Sequence, residues 1–142
     1  MPSIFSRIIA GELPARFIWK DENAVAFLSN RPLRPGHTLV VPRLEVDHWL
    51  DVDPQILAHL TKIAQIIGRA QMAAFNPVRI GVMIAGLEVP HLHIHVVPIR
   101  GMHDLDFGNQ DPNPDPKVMD DAAHALRDGV RKLGFGESVP DS

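Results

Sequence analysis

The hydrophobic positions follow two different periods along the chain, and each period predicts one kind of element. Between residues 54 and 75 apolar side chains recur three and four positions apart, which is the spacing of one helix face. Asp53 precedes this segment as an N-cap and Pro54 suits the first helical position. A second amphipathic helix is predicted over 117–133, and a short one over 4–11, with Ser3 as its N-cap.

Shorter segments rich in β-branched and apolar residues predict five strands. They cover residues 16–20, 24–29, 37–41, 78–85 and 90–99. Helices and strands do not alternate regularly along the chain, which favours an α+β fold with an antiparallel sheet over a parallel one. Residues 100–116 are rich in Asp, Asn, Gly and Pro and predict a long loop, and residues 134–142 are expected to fray.

Length and composition narrow the class of protein. A chain of 142 residues with 45% hydrophobic residues fits one domain, 1–142, with a core of its own. Its net charge of −3 argues against a nucleic-acid partner. No signal peptide and no membrane-spanning stretch is apparent, so we expect a cytoplasmic protein without a membrane partner. With no cysteine there is no disulfide framework, thiolate metal site or thiol nucleophile.

Histidine is the unusual residue of this composition, with eight copies. Three of them alternate with apolar residues in the last predicted strand, at His91, His93 and His95. Since strand side chains alternate between faces, these imidazoles share one face and the apolar residues pack on the other. Local rules of patterning are most often broken in this way at functional sites.

Two chemical interpretations of the three imidazoles remain open at this point. In the first, a metal ion binds His91 with His93, or His93 with His95, and ligands from elsewhere, or it binds His91 or His93 together with His37. Residues i and i+4 of a strand lie roughly 13 Å apart, so all three cannot reach one ion. In the second, a neutral imidazole attacks phosphorus, and its neighbours hold the phosphate oxygens. The second needs no metal or cofactor, and we prefer it.

The motif and its surroundings resemble the histidine triad family, whose signature is His-x-His-x-His followed by apolar residues. Three further blocks resemble its nucleotide-binding branch: residues 4–15, residues 26–28, and Pro35-Gly36-His37-Thr38 with the strand after it. Residues 100–103 are similar to the end of that branch's core. The resemblance covers about residues 3–103 and leaves 104–142 as a C-terminal extension that can cap the pocket or a partner subunit.

The resemblance implies a five-stranded antiparallel sheet with a long helix and a C-terminal helix, usually paired with a second subunit into ten strands. It also implies a nucleotide hydrolase or nucleotidyl transferase acting on small nucleotide substrates at an α-phosphorus. Phosphoramidates and dinucleoside polyphosphates are the substrate types. His93 is then the nucleophile. His91 and His95 bind phosphate or orient the nucleophile, and His37 joins this network. The implied base pocket is lined by Ile4, Phe5, Ile8 and Phe27.

Several positions depart from the family pattern, each with an expected effect on nucleotide binding. Ser29 stands where an acidic residue commonly holds the ribose, and Asn30 stands where an apolar pocket residue is common. Leu87 replaces a Gln that usually touches the phosphate, and Glu88 replaces Ser or Thr. Glu88 is expected either to protonate a leaving group or to be an exposed loop carboxylate. These departures keep open an alternative function, a nucleotide-binding regulatory module with weak or no catalysis.

Overall fold

The computed structural model describes all 142 residues and contains three helices and five strands. The helices are α1 (Ile4–Ile9), α2 (Pro54–Phe75) and α3 (Pro116–Val130). The strands are β1 (Phe17–Lys20), β2 (Ala24–Leu28), β3 (Thr38–Pro42), β4 (Arg79–Met83) and β5 (Ile94–Ile99). Short 3₁₀ turns cover Trp49–Asp51, Met102–Leu105, Phe107–Asn109 and Gly136–Ser138.

The strands form one antiparallel sheet in the order β1-β2-β3-β5-β4, which confirms the predicted α+β class and the five-stranded sheet. The register brings the triad strand beside the Gly36-His37 block, since His95 pairs with Leu39 of β3. On its other side His95 pairs with Met83 of β4. The strand β5 therefore lies next to the edge strand β4, and both of its neighbouring strands hold its backbone.

One face of the sheet carries the main hydrophobic core. Helices α2 and α3 pack there, and the apolar residues that alternate with the triad, Leu92, Ile94 and Val96, belong to this cluster. The opposite face carries a smaller cluster of six buried residues: Phe5, Phe17, Val25, Phe27, Leu39 and Val41. The alternation predicted from the sequence is thus present, with the imidazoles on the side of the smaller cluster.

Two features of the fold differ from the sequence predictions. The last strand begins at Ile94 and not at residue 90, because the segment before it leaves the ladder; His91 bonds its amide to the Val89 carbonyl and Leu92 to that of Val46. The C-terminal segment 134–142 is packed in part, and Asp141 and Ser142 at its end are exposed. Phe135 packs on Trp19 with ring centroids 5.8 Å apart, and Val139 packs against the main core. None of the helices combines the length and the apolar character that a membrane span requires.

Candidate active site

The three imidazoles of the triad are buried, and neighbouring backbone groups fix which ring nitrogen of two of them carries the proton. His93 Nδ1 lies 2.7 Å from the carbonyl oxygen of His91, and His91 Nε2 lies 2.8 Å from that of Pro42. A carbonyl oxygen can only accept a hydrogen bond, so both nitrogens are donors. His93 therefore keeps its lone pair on Nε2, and His91 keeps its own on Nδ1.

The tautomer of the third imidazole, His95, is fixed by a series of hydrogen bonds that begins at a backbone amide. The Leu33 N–H donates to His37 Nδ1 at 3.0 Å, so neutral His37 carries its proton on Nε2. That Nε2–H donates to His95 Nδ1 at 2.9 Å, which places the proton of His95 on its Nε2. This Nε2 is buried without a hydrogen-bond partner, 3.8 Å from Glu88 Oε1. The His95 Nε2–H is thus an unused hydrogen-bond donor that a molecule bound at the site can engage.

Burial keeps all four imidazoles neutral. Desolvation lowers the pKa of His37 to about 4, assisted by the nearby His93. It lowers the pKa of His95 to about 3, with His37 and His93 adding to the effect. The pKa values of His91 and His93 are lowered by the same cause, although hydrogen bonds to backbone carbonyls oppose it. A neutral His93 is the form in which imidazole is nucleophilic.

A cavity of about 700 Å³ opens beside His93 and His95. At one end its wall is apolar and comes from α1, β2 and β3. The predicted pocket residues Ile4, Phe5, Ile8 and Phe27 all lie in this wall, together with Leu39. The Phe5 ring and the His93 ring pack edge to face with centroids 5.0 Å apart, so the apolar end directly adjoins His93.

The other predicted nucleotide-binding residues divide into those that reach the cavity and one that does not. Ser29, Asn30 and Glu88 line it. Ser29 is buried and its Oγ accepts from the Arg31 amide at 3.2 Å. Leu87 is 92% exposed and lies outside the cavity wall, so a role for it in nucleotide binding stays a prediction. His91 also lies outside the wall, behind His93.

The C-terminal extension contributes residues that the sequence did not single out. Gln110, Met119 and Asp120 line the cavity, and Asp120 accepts a hydrogen bond from Arg16 Nε at 2.7 Å. The Phe107 ring packs against His95 with centroids 4.9 Å apart. No spacing pattern in the sequence relates these residues to the triad. Met119 and Asp120 reach the cavity through the packing of α3, whereas Phe107 and Gln110 come from the segment before that helix.

The hydrogen bonds at the site leave a metal ion only part of the available donor set. Ligand atoms of Glu88, His93 and His95 lie within 4.8 Å of one another. A metal needs the lone pair of each imidazole, however, and His95 Nε2 carries the proton that His37 imposes. The pairing of His37 with His91 or His93, considered from the sequence, also fails, since both nitrogens of His37 and of His91 are engaged in hydrogen bonds.

Comparisons with known proteins agree with this architecture. The family model described as HIT domain matches residues 10–102. An uncharacterised HIT-like protein of Mycobacterium tuberculosis is 39% identical over 105 residues, 70% of this chain and 73% of that protein. An adenosine 5′-monophosphoramidase of Saccharomyces cerevisiae is 30% identical over 98 residues, 68% of this chain and 62% of that protein. The crystal structure of a zinc-bound histidine triad family protein from Mycobacterium smegmatis superposes with a TM-score of 0.78 at 31% identity, covering 92% of this chain and 94% of that one.

Proposed function

The chain belongs to the HIT family, and from that membership together with the site geometry we propose that it hydrolyses or transfers a nucleotidyl group at an α-phosphorus. One observation carries the proposal. His93 has its Nδ1 proton committed to the His91 carbonyl, which leaves the Nε2 lone pair free beside a cavity with an apolar end. The monophosphoramidase named among the relatives supports a small nucleotide substrate of the phosphoramidate type.

The proposed reaction has two displacements at phosphorus. In the first, the His93 Nε2 lone pair forms a bond to phosphorus while the bond to the leaving group breaks and the leaving group takes a proton. In the second, a water oxygen attacks phosphorus and loses a proton, and the electron pair of the N–P bond returns to Nε2. Another nucleophile in place of water makes the same enzyme a transferase. Splitting one hard displacement into two easier ones is the advantage of the covalent route.

Each of the other groups has a proposed part in holding the substrate. The apolar wall of Ile4, Phe5, Ile8 and Phe27 suits a nucleoside base. The unpaired Nε2–H of His95 suits a phosphate oxygen and stabilises the charge that develops on it. His37 keeps that proton in place, and Ser29 and Asn30 offer neutral polar groups at the cavity wall.

Mass spectrometry after incubation with adenosine 5′-phosphoramidate tests the proposal. We expect a nucleotidyl adduct on a peptide containing His93 and none in His93→Ala. His93→Asn is the second variant, because its amide N–H can replace Nδ1–H towards the His91 carbonyl and keep the strand in place. His124→Ala, a change of an exposed histidine on α3, is the control and should keep the adduct. Turnover that survives both His93 variants contradicts the mechanism.

A binding module without catalysis is the second candidate, and specific positions favour it. Leu87 supplies no polar group to the cavity, and Ser29 offers a neutral hydroxyl already bonded to the Arg31 amide. Calorimetry with adenosine 5′-monophosphate separates the two functions. Tight binding with no turnover of any phosphoramidate or dinucleoside polyphosphate favours the binding module.

We further propose that two copies pair through β4 to continue the sheet. The free edge of β1 is covered by α3, whose Arg127 donates from Nε to the Phe17 carbonyl at 2.7 Å. The opposite edge, β4, has no such cover, and its Val82 is 56% exposed. Sedimentation should give the mass of a dimer, and Val82→Lys should shift it towards the monomer, since edge lysines oppose strand pairing. A monomeric wild type at micromolar concentration contradicts this pairing.

A further inference from the structure

The first turn of α1 and the loop after β3 meet behind His91. Ser3 Oγ lies 2.7 Å from His91 Nδ1, and Ser6 Oγ lies 3.5 Å from the same nitrogen. Glu45 accepts at Oε1 from the Ser3 amide and from the Ser6 hydroxyl, each at 2.7 Å. Residues 3, 6, 45 and 91 thus form one hydrogen-bonded group, which we call the His91 clamp.

The number of protons on each group shows which atom donates in the hydrogen bonds of the clamp. His91 Nε2 donates to the Pro42 carbonyl, so its Nδ1 must accept, and Ser3 Oγ must be the donor. Ser3 Oγ in turn accepts from the Ser6 amide at 3.0 Å, which is the N-cap bond of α1. The Ser3 hydroxyl therefore has two duties, to cap a helix and to hold an imidazole.

The clamp connects to the nucleophile through the main chain. The His91 ring is held from both sides, by Ser3 and by Pro42, and the His91 carbonyl accepts the Nδ1–H of His93. If the His91 ring is released, its backbone can shift. His93 then loses the acceptor that keeps its proton on Nδ1 and its lone pair on Nε2.

We propose that Ser3 and Glu45 are positioning residues for the reaction, acting through His91 on the orientation and tautomer of His93. This inference rests on the proposed function of His93. The same group anchors α1, which supplies Ile4, Phe5 and Ile8 to the apolar wall. The clamp therefore fixes the substrate wall and the nucleophile relative to each other, a relation to which turnover is sensitive, since a misplacement of about 1 Å can cost about 100-fold in rate.

Three substitutions separate capping from positioning. Ser3→Gly removes the hydroxyl but costs a helix N-terminus only a few tenths of a kcal/mol. Ser3→Thr keeps the hydroxyl and should restore function. The matched control is Asp53→Gly, which makes the same change at the N-cap of α2, away from His91. We expect Ser3→Gly to lower kcat about 10- to 100-fold, with a smaller change in KM, and expect Ser3→Thr and Asp53→Gly to leave kcat near wild type.

The acidic end of the clamp has its own pair of variants. Glu45→Gln keeps an oxygen acceptor for the Ser3 amide and the Ser6 hydroxyl, whereas Glu45→Ala removes it. Asp47→Ala changes an exposed carboxylate of the same loop and is the control. We expect Glu45→Ala to lower kcat, Glu45→Gln to retain most of it, and Asp47→Ala to have no effect.

Nitrogen-15 NMR of histidine-labelled protein gives a readout that is independent of turnover. In the wild type, His93 should show a protonated Nδ1 and an unprotonated Nε2, and Ser3→Gly should mix the two tautomers. Unchanged His93 signals together with an unchanged kcat in Ser3→Gly and Glu45→Ala would overturn the inference. If the wild type forms no His93 adduct, the proposed function fails instead, and the NMR spectra still decide whether the clamp holds His93.

Discussion

A neutral imidazole has one proton for two ring nitrogens, so its chemistry depends on what its neighbours accept or donate. Here two carbonyl oxygens and one amide N–H determine which ring nitrogen carries the proton in His91, His93 and His37. His95 receives its tautomer from His37. The His93 ring thereby presents a lone pair and the His95 ring presents a hydrogen-bond donor, although the two residues are only two positions apart.

The contact between His37 and His95 leads to a prediction about substitution of His37. His37→Leu removes the donor to His95 Nδ1 and leaves a buried acceptor unpaired, which should cost about 1–3 kcal/mol of stability and lower kcat/KM. His37→Gln can place an amide N–H near the lost Nε2–H and should retain more of both. Urea unfolding and steady-state kinetics on the two variants provide the measurement. Equal losses in both variants would show that the donor is unimportant.

The lowered pKa values of the buried histidines predict how stability depends on pH. The unfolded chain takes up protons near pH 6.5, whereas folded His37 and His95 do so only near pH 4 and 3. Stability contributed by these groups is therefore complete above pH 6.5 and is lost as pH falls from there, by about 1.4 kcal/mol per pH unit for each proton. Urea unfolding between pH 7.5 and 5 should show this slope, and His37→Gln should reduce it. A flat profile would contradict the prediction.

Part of this residue-scale picture could be predicted from the sequence and part could not. The triad and His37 stand out because they interrupt apolar strands, and the structure brings them together. Ser3 could be predicted only as an N-cap, since its bond to His91 spans 88 positions of sequence. Glu45 and Phe107 lie in loops without periodicity, so nothing local indicates which side chain they meet.

At the scale of elements, the loop between β2 and β3 contains Leu33, whose amide donates to His37 and so begins the series of hydrogen bonds that ends at His95. Near the end of this loop lies Gly36, whose φ of +90° favours glycine. A Cβ at this position would collide with the ring of Phe75, at the end of α2. The Gly36 carbonyl also accepts from the buried Gln71 side chain at 2.9 Å. Helix α2 thus supports the loop that orients His37.

This close approach predicts the effect of substituting Gly36. Gly36→Ala combines an unfavourable φ with a clash against Phe75, and overpacking of this kind costs about 1–3 kcal/mol beyond the backbone strain. Gly134→Ala is the matched control, because Gly134 has a φ of +97° and a Cβ added to it would meet no atom within 4 Å. The midpoint of urea unfolding should fall further for Gly36→Ala than for the control. Similar midpoints would show that Phe75 moves aside freely.

The bounds of α2 and the existence of every strand followed from periodicity, whereas the start of β5 did not. Residues 90–93 continue an alternating pattern, yet the amides of His91 and Leu92 bond to the Val89 and Val46 carbonyls, outside the ladder. The clamp on His91 belongs to this departure. A pattern of apolar and polar residues predicts on which face a side chain lies, but it does not predict which carbonyl oxygen accepts from the amide of that residue.

At the scale of the whole molecule, the C-terminal extension is part of the packed structure. Helix α3 places Met119, Ala122, Ala123, Leu126 and Val130 in the main core. It also closes the β1 edge through Arg127 and provides part of the cavity wall. The family match ends at residue 102, so this extension adds to the site from outside the matched segment.

Removal of residues 116–142 should therefore destabilise the chain strongly. The three large core side chains of α3, Met119, Leu126 and Val130, would be lost at roughly 1.5–3 kcal/mol each, which is comparable to the roughly 5–15 kcal/mol that holds a typical domain folded. Circular dichroism should show loss of the cooperative thermal transition, whereas removal of the exposed Asp141 and Ser142 alone should leave it unchanged. A cooperative transition in the shorter chain would show that the sheet and α2 suffice.

Because Phe135 packs on Trp19, the fluorescence of this tryptophan also indicates whether the C-terminal segment is docked. There is no tyrosine, and of the two tryptophans Trp19 is buried and donates from Nε1 to Asp21, whereas Trp49 is exposed. Short-wavelength fluorescence should accordingly come from Trp19 and long-wavelength fluorescence from Trp49. Undocking of the C-terminal segment would shift only the fluorescence of Trp19 towards the red, so the undocking can be followed without any added label.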